Sequence, residues 1–254
     1  MSELQFYYII LFSFLGLGVI TFFILFFITA PYGRYAKKGW GPLINNRVGW
    51  VLQESPASLM IFFYFFFDSR PFNITLVALL IIWQAHYFHR AFIYPFTIRS
   101  SNRVPLLPVI MAILFNIVNS YIQGRWIFKL APDAMYTSAW LTDPRFIAGV
   151  LIFSAGYFIN KQSDHILRNL RAPGESGYKI PRGGLFDYVS SPNYFGEILT
   201  WTGWAIATWS LAGLYFLIWT IANLGPRARS HHNWYKATFP DYPAERKIII
   251  PYIL

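Results

Sequence analysis

The chain contains no cysteine. This excludes disulfides, thiolate metal sites and cysteine nucleophiles, and leaves the redox compartment open. Charge is scarce too: 13% of the 254 residues are Asp, Glu, Lys or Arg, against about 25% in a soluble domain. Acids are the rarer sign, 11 against 21 Lys and Arg, giving a net charge of +10. Also missing are a P-loop, a Gly-x-Ser-x-Gly elbow, an H-E-x-x-H helix and a Rossmann G-x-G-x-x-G between strand and helix; Gly16-Leu17-Gly18 lies inside an apolar run. No internal repeat is visible, which disfavours an inverted-repeat transporter. Any nucleotide must therefore be held between helices by polar loops.

What the chain has in abundance is apolar residues, 56% hydrophobic and 20% aromatic. Runs of about 20 such residues recur, long enough to cross a bilayer as helices. The expectation is an all-α polytopic membrane protein, one membrane domain over residues 1–254, with spans near 5–30, 50–67, 72–94, 105–122, 145–160, 194–209 and 211–224. The run from Phe6 to Ile28 is too long for the h-region of a cleavable signal peptide. Pro31-Tyr32-Gly33, Asp68-Ser69-Arg70-Pro71 and Arg103-Val104-Pro105 mark turns. The last 30 residues read as a short cytosolic helix and a cap.

Assigning the loops alternately to two sides sorts the cations. Arg34, Lys37, Lys38, Arg47, Arg99, Arg103, Lys161, Arg168, Arg171, Lys179, Arg182, Arg227, Arg229, Lys236, Arg246 and Lys247 share one side, against Arg70, Arg125 and Lys129 on the other. The positive-inside rule then gives seven helices, with the N-terminus outside or lumenal and the C-terminus in the cytosol. Positive charge is thus topological rather than a sign of nucleic acid, and its excess in 161–193 and in the tail also suits a polyanionic ligand.

Glu54 stands out. It sits in Trp50-Val51-Leu52-Gln53-Glu54-Ser55-Pro56, which runs into the aromatic stretch Leu59 to Phe67. An intramembrane acid is expensive and is a functional-site hypothesis by default. Desolvation favours its neutral form, which can donate a hydrogen bond to a carbonyl oxygen. A second polar cluster, His86-Tyr87-Phe88-His89-Arg90, ends the third span. His86 and His89 have the spacing of a metal pair, but five histidines are too few for a membrane di-iron site, and no metal is expected. The cluster also suits a helix end whose side chains reach the interface. Gln53 serves either as interhelical glue or as a support for the pocket around Glu54. Paired with Glu54, Tyr87 would add a second neutral donor to one carbonyl.

A third constellation begins at Asn160. On a helix Asn160, Asp164, Arg168 and Arg171 form one polar stripe, and arginines can hold phosphates bidentately. Asn193 and Glu197 lie four apart at a helix start, where Glu197 would either serve a ligand or pair with an arginine.

Together these motifs, with Leu167-Arg168-x-Leu170-Arg171-x-Pro173-Gly174-Glu175, Ile180-Pro181-x-Gly183-Gly184-Leu185-Phe186-x-Tyr188-Val189-Ser190 and Asn193-Tyr194-x-Gly196-Glu197, closely resemble the steroid 5α-reductase family. The match runs in order from about residue 50 to Leu254, including His231, Tyr235, Asp241-Tyr242-Pro243 and Arg246-Lys247, and is weakest over the first span. The resemblance implies NADPH-dependent reduction of the Δ4 bond of a 3-oxo-steroid, with Gln53, Glu54 and Tyr87 as the catalytic group. It implies dinucleotide contacts from Asn160, Asp164, Arg168, Arg171, Tyr178, Asn193, Glu197, Arg227, His231 and Tyr235, with Arg103 and Trp201 as additions. The loop 161–193 and tail 225–254 then form a cytosolic cofactor-binding layer. Lys179 and Pro192 depart from the pattern without touching the chemistry. The partners implied are a steroid or other flat apolar lipid and the membrane itself, for an enzyme active as a monomer in the endoplasmic reticulum or a bacterial inner membrane. The alternatives are a reductase of another lipid enone or enoyl thioester, an S-adenosylmethionine-dependent methyltransferase, and a proton-coupled carrier using Glu54, His86 and Glu197.

Overall fold

Long apolar helices carry the architecture. A computed structural model describes residues 1–29, 35, 39–68, 70–98, 103–172, 175 and 177–254. The turn signals at Pro31-Tyr32-Gly33, Ser69 and Pro173-Gly174, and the cations Arg34, Lys37, Lys38 and Arg99, lie outside the described residues. The chain divides into two units, Met1–Ser13 with Ala30–Ile147, and Phe14–Thr29 with Ala148–Leu254. Four helical stretches are long and apolar enough to cross a membrane: Glu3–Phe27, Asn46–Phe67, Ile74–Thr97 and Leu106–Leu130. They match the first four expected spans.

The first unit is built on α2 (Asn46–Phe67), α3 (Ile74–Phe88), the short α4 (Tyr94–Thr97) and α5 (Leu106–Arg125), with the start of α1 (Glu3–Phe27). A small antiparallel pair, β1 (Leu43–Asn45) with β2 (Arg103–Pro105), sets α2 and α5 off side by side in the same direction. Asn45 and Asn73 cap α2 and α3, each side chain accepting from two backbone N–H groups of the first turn. Down the α2–α5 seam, Asn116 Nδ2 donates to the Gln53 carbonyl at 2.6 Å, and Gly124 leaves room for the ring of Tyr64. α3 runs the other way against α2: Trp83 Nε1 donates to the Ala57 carbonyl, and Ser58 and Gln84 exchange two hydrogen bonds. At the far end Arg125 pairs with Asp68 and Glu3, Lys129 with Glu3 at 3.1 Å, and Arg70 donates to the carbonyls of Ile127, Ala131 and Pro132. These carbonyls end a wide helical turn, and a cation suits them. Just beyond, a hydrogen-bonded Arg145 holds the Asp143 carboxyl down to about 2.

The second unit is built on α6 (Pro144–Asn169), α7 (Pro192–Thr208) and α8 (Leu211–Thr238), together with the later part of α1. α6 and α7 run antiparallel with their backbones nearly touching. A Cβ placed on Gly203 would lie 2.2 Å from the Phe153 nitrogen, one on Gly156 2.4 Å from the Thr200 nitrogen, and one on Gly196 2.5 Å from the Asn160 nitrogen. Small residues let helices approach this closely. Trp209, in the left-handed region at φ 45°, turns the chain into α8, which Ser210 caps. From α8, Trp219 Nε1 reaches the Phe14 carbonyl at 2.6 Å, over Gly18.

One expectation is corrected here. The span 211–224 and a separate short helix after it are one continuous helix of 28 residues. Gly225-Pro226 and the cations Arg227 and Arg229 mark the end of an apolar run, not of the helix. A proline costs its own N–H bond but need not stop a packed helix, and Pro226 is buried.

Candidate active site

In the first unit the geometry centres on Glu54, 7% exposed. Two residues on, Pro56 has no N–H to offer the Leu52 carbonyl, and the Ser55 hydroxyl reaches that carbonyl at 3.4 Å. Gln53 Nε2 donates to Glu54 Oε1 at 3.2 Å, and Arg90 Nε approaches the same oxygen at 3.4 Å. Glu54 Oε2 has no protein hydrogen bond among the described residues. Arg90 lies in a π-helical turn, His89–Ile93, that follows α3. Such wide turns often mark functional sites. The guanidinium also lies 5.0 Å from the Trp50 ring centroid, and Trp50 packs edge-on to Tyr94. Tyr87 is buried and stacks on Trp83, ring centroids 4.7 Å apart. On α3 it falls between Gln84 and Arg90, both of which contact α2. Gln53 and Glu54 are thus brought together, and the carboxyl has a further neighbour outside the expected set, Arg90.

The second unit gathers most of the other expected residues. Asn160, 4% exposed, donates from Nδ2 to the Asn193 carbonyl and to Glu197 Oε2, both at 3.0 Å. Among the described residues the Asn160 Oδ1 is buried without a hydrogen-bond partner. Trp201 Nε1 donates to Glu197 Oε1 at 3.0 Å. Asp164 and Arg168 continue the α6 stripe one and two turns on, Asp164 buried and Arg168 half-buried. From α8, His231 meets the Tyr194 hydroxyl at 3.3 Å, and the Arg227 guanidinium lies 5.2 Å from the same ring. Arg171 donates to the Gly177 carbonyl beside Tyr178, which packs edge-on to Trp234. There the Lys179 hydrogen bond holds the exposed Glu175 carboxyl below its ordinary range. Tyr235 is buried and stacks flat on Tyr242, centroids 5.3 Å apart. Arg103 is an exposed residue of β2, in the first unit.

Residues outside the expected set adjoin this group. Ser190 Oγ lies 2.6 Å from both His232 Nδ1 and the Tyr242 hydroxyl, and donates to the Lys247 carbonyl at 3.2 Å. Burial, reinforced by Lys236, pushes the His232 imidazole below its ordinary value. Ser190, Tyr242 and Lys247 stand in the motifs that carry the family resemblance, which assigned them no role.

The sequence profile of the 3-oxo-5-alpha-steroid 4-dehydrogenase family matches residues 102–254. The chain is 45% identical to 3-oxo-5-alpha-steroid 4-dehydrogenase 1 of Macaca fascicularis over 227 residues, covering 87% of this chain and 84% of the relative. It is 41% identical to the Bos taurus protein of the same name over 246 residues, 94% of this chain and 93% of the relative. A plant relative, steroid 5-alpha-reductase DET2 of Solanum lycopersicum, is 40% identical over 257 residues, 99% of this chain and 98% of its own. A mostly helical chain with four bilayer-length apolar helices and relatives so named is an integral membrane oxidoreductase acting on CH–CH bonds. The chain belongs to the 3-oxo-5-alpha-steroid 4-dehydrogenase family.

Proposed function

We propose that the protein reduces the Δ4 C=C bond of a 3-oxo-steroid to the 5α-dihydrosteroid, with NADPH as reductant. The relatives' names support the reaction class. On this chain the observation that carries the reading is that both donors beside Glu54 engage Oε1. A neutral carboxylic acid has one accepting oxygen and one O–H donor. The Arg90 guanidinium pairs with Oε1; in this reading a proton carried on Oε2 makes Glu54 a donor to the 3-oxo group, with Oε1 held by Gln53 and Arg90. Tyr87 supplies the second donor. Two neutral donors then draw charge onto the carbonyl oxygen as an oxyanion hole does, and an apolar wall that excludes water strengthens both bonds.

In terms of bonds, hydride adds to C5, the C4=C5 electrons shift to C3–C4, and the oxygen becomes an enolate held by Glu54 and Tyr87. The C3=O bond re-forms as C4 takes a proton. Bound NADPH supplies the hydride. The donor set of the second unit fits such a dinucleotide: the unpartnered Asn160 Oδ1 suits an amide or ribose donor, Asp164 and Glu197 suit hydroxyls, and Arg168, Arg171 and Arg227 suit phosphates. In this reading the chain crosses the membrane seven times, N-terminus outside and C-terminus in the cytosol. The layer of 161–193 and 225–254 then draws on cytosolic NADPH, and a monomer suffices.

The test is purified protein in detergent with NADPH and a Δ4-3-oxo-steroid, followed at the nicotinamide absorbance. Glu54→Gln and Tyr87→Phe are each expected to lower turnover by about 10²-fold or more while NADPH still binds. Near-wild-type turnover in both would sink the assignment.

A further inference from the structure

Ser190 belongs to no part of the chemistry above, yet it is among the most heavily engaged hydroxyls in the chain. It is 4% exposed, in the segment that leads into α7, and contacts three groups from later in the chain. A serine hydroxyl has one proton and two lone pairs. The Lys247 carbonyl can only accept and takes the Ser190 proton, so the Tyr242 hydroxyl and His232 Nδ1–H both donate to Ser190 Oγ. Backbone bonds run alongside, Ser190 N to the Lys247 carbonyl and Lys247 N to the Tyr188 carbonyl, both at 2.9 Å.

Each partner sits next to a residue assigned above to the dinucleotide. Ser190 is three residues before Asn193, whose carbonyl receives Asn160. His232 follows His231, which meets Tyr194. Tyr242 is the ring on which Tyr235 stacks. Tyr242 also lies under the Arg246 guanidinium, which donates to the Pro181 carbonyl at 3.0 Å. One hydroxyl therefore ties the start of α7, the end of α8 and the C-terminal segment to one another.

We infer that Ser190, with Tyr242 and His232, is a positioning node that sets the affinity of the second unit for the dinucleotide without touching the reacting atoms. The inference rests on the NADPH reading above. Removing the Ser190 oxygen leaves the buried Tyr242 hydroxyl without its partner and frees α8 to shift against α7, so binding suffers and the hydride step does not.

The experiment titrates NADPH into full-length protein in detergent by nicotinamide fluorescence, with steady-state kinetics alongside. Ser190→Ala and Tyr242→Phe should each weaken NADPH binding and raise its KM by roughly tenfold, the scale of one lost buried hydrogen bond. At saturating NADPH their kcat should stay within about twofold of wild type, and Ser190→Thr, which keeps the hydroxyl, should restore the affinity. Arg70→Gln, in the first unit, serves as a stability control: it should lower Tm and leave the NADPH affinity unchanged. Wild-type affinity in both Ser190→Ala and Tyr242→Phe overturns the inference, as does an equal loss of affinity in Arg70→Gln. Failure of the wild-type protein to bind NADPH is a separate result, which removes the cofactor reading and the inference with it.

Discussion

Asn160 shows how much a single side chain can be asked to do. Its amide nitrogen serves two acceptors on α7, and its amide oxygen is buried with none. A buried acceptor left unmade costs on the order of 1–3 kcal/mol, so a ligand that donates to it gains by that amount. Asn160→Asp would set a carboxylate against Glu197 and should weaken NADPH binding by tenfold or more, read by the same titration. Equal binding would remove Asn160 from the site. The i, i+4 spacing made Asn160, Asp164 and Glu197 legible in the sequence, but not the bond that joins Asn160 to Glu197, because it depends on how closely α6 and α7 approach. Arg90 was hidden for a related reason: ordinary helical spacing does not account for a five-residue π turn. His232 offers a check by pH. Its folded pKa lies below the unfolded value of about 6.5, so the unfolded chain binds more protons in between. Stability from this site is complete above about pH 6.5 and is lost as pH falls through the folded value. His232→Gln should therefore flatten the acid limb of a Tm–pH curve, and an unchanged slope would contradict it.

At the scale of elements, the glycines of α6 and α7 matter more than any polar residue. Gly203→Val would drive a branched side chain into the Phe153 backbone, costing on the order of 1–3 kcal/mol or more. Tm and NADPH affinity should fall together, since the same seam brings Asn160 to Gly196. Gly16 has nothing within 4 Å of an added Cβ, and Gly16→Ala should be neutral or stabilising by up to about 1 kcal/mol, measured by thermal unfolding. A Gly203→Val protein as stable as Gly16→Ala would refute the close packing. The first four apolar stretches follow from local composition and were readable, whereas the caps at Asn45 and Asn73 emerge only from the structure. The glycine seam was not read, although Gly149 with Gly156 and Gly196 with Gly203 repeat at seven residues. Polar periodicity is visible in a sequence, whereas glycine has no side chain to reveal which face it lines. The length of α8 was misread because hydropathy falls at Pro226 while the hydrogen-bond ladder continues.

At the scale of the whole molecule, the composition itself supplies a means to measure the direction of threading. With no native cysteine, a single one introduced at Ser2 or at Lys236 reports alone. In sealed vesicles of known orientation, a membrane-impermeant maleimide should label the Ser2→Cys protein only from the outer or lumenal face and the Lys236→Cys protein only from the cytosolic face. Labelling of both from one side would require an even number of crossings and end the seven-span reading. The seven-span expectation rests on the way Lys and Arg sort by loop. The glycine seam has one more consequence, for diversification. One residue of slip between α6 and α7 is a step of about 1.5 Å, and it would bring a side chain where a glycine now faces backbone. The pair therefore has a single seating and cannot glide to suit a deeper or shallower substrate. Relatives that take differently shaped substrates would have to change the side chains of other walls, while this post keeps its register like a ratchet with one tooth.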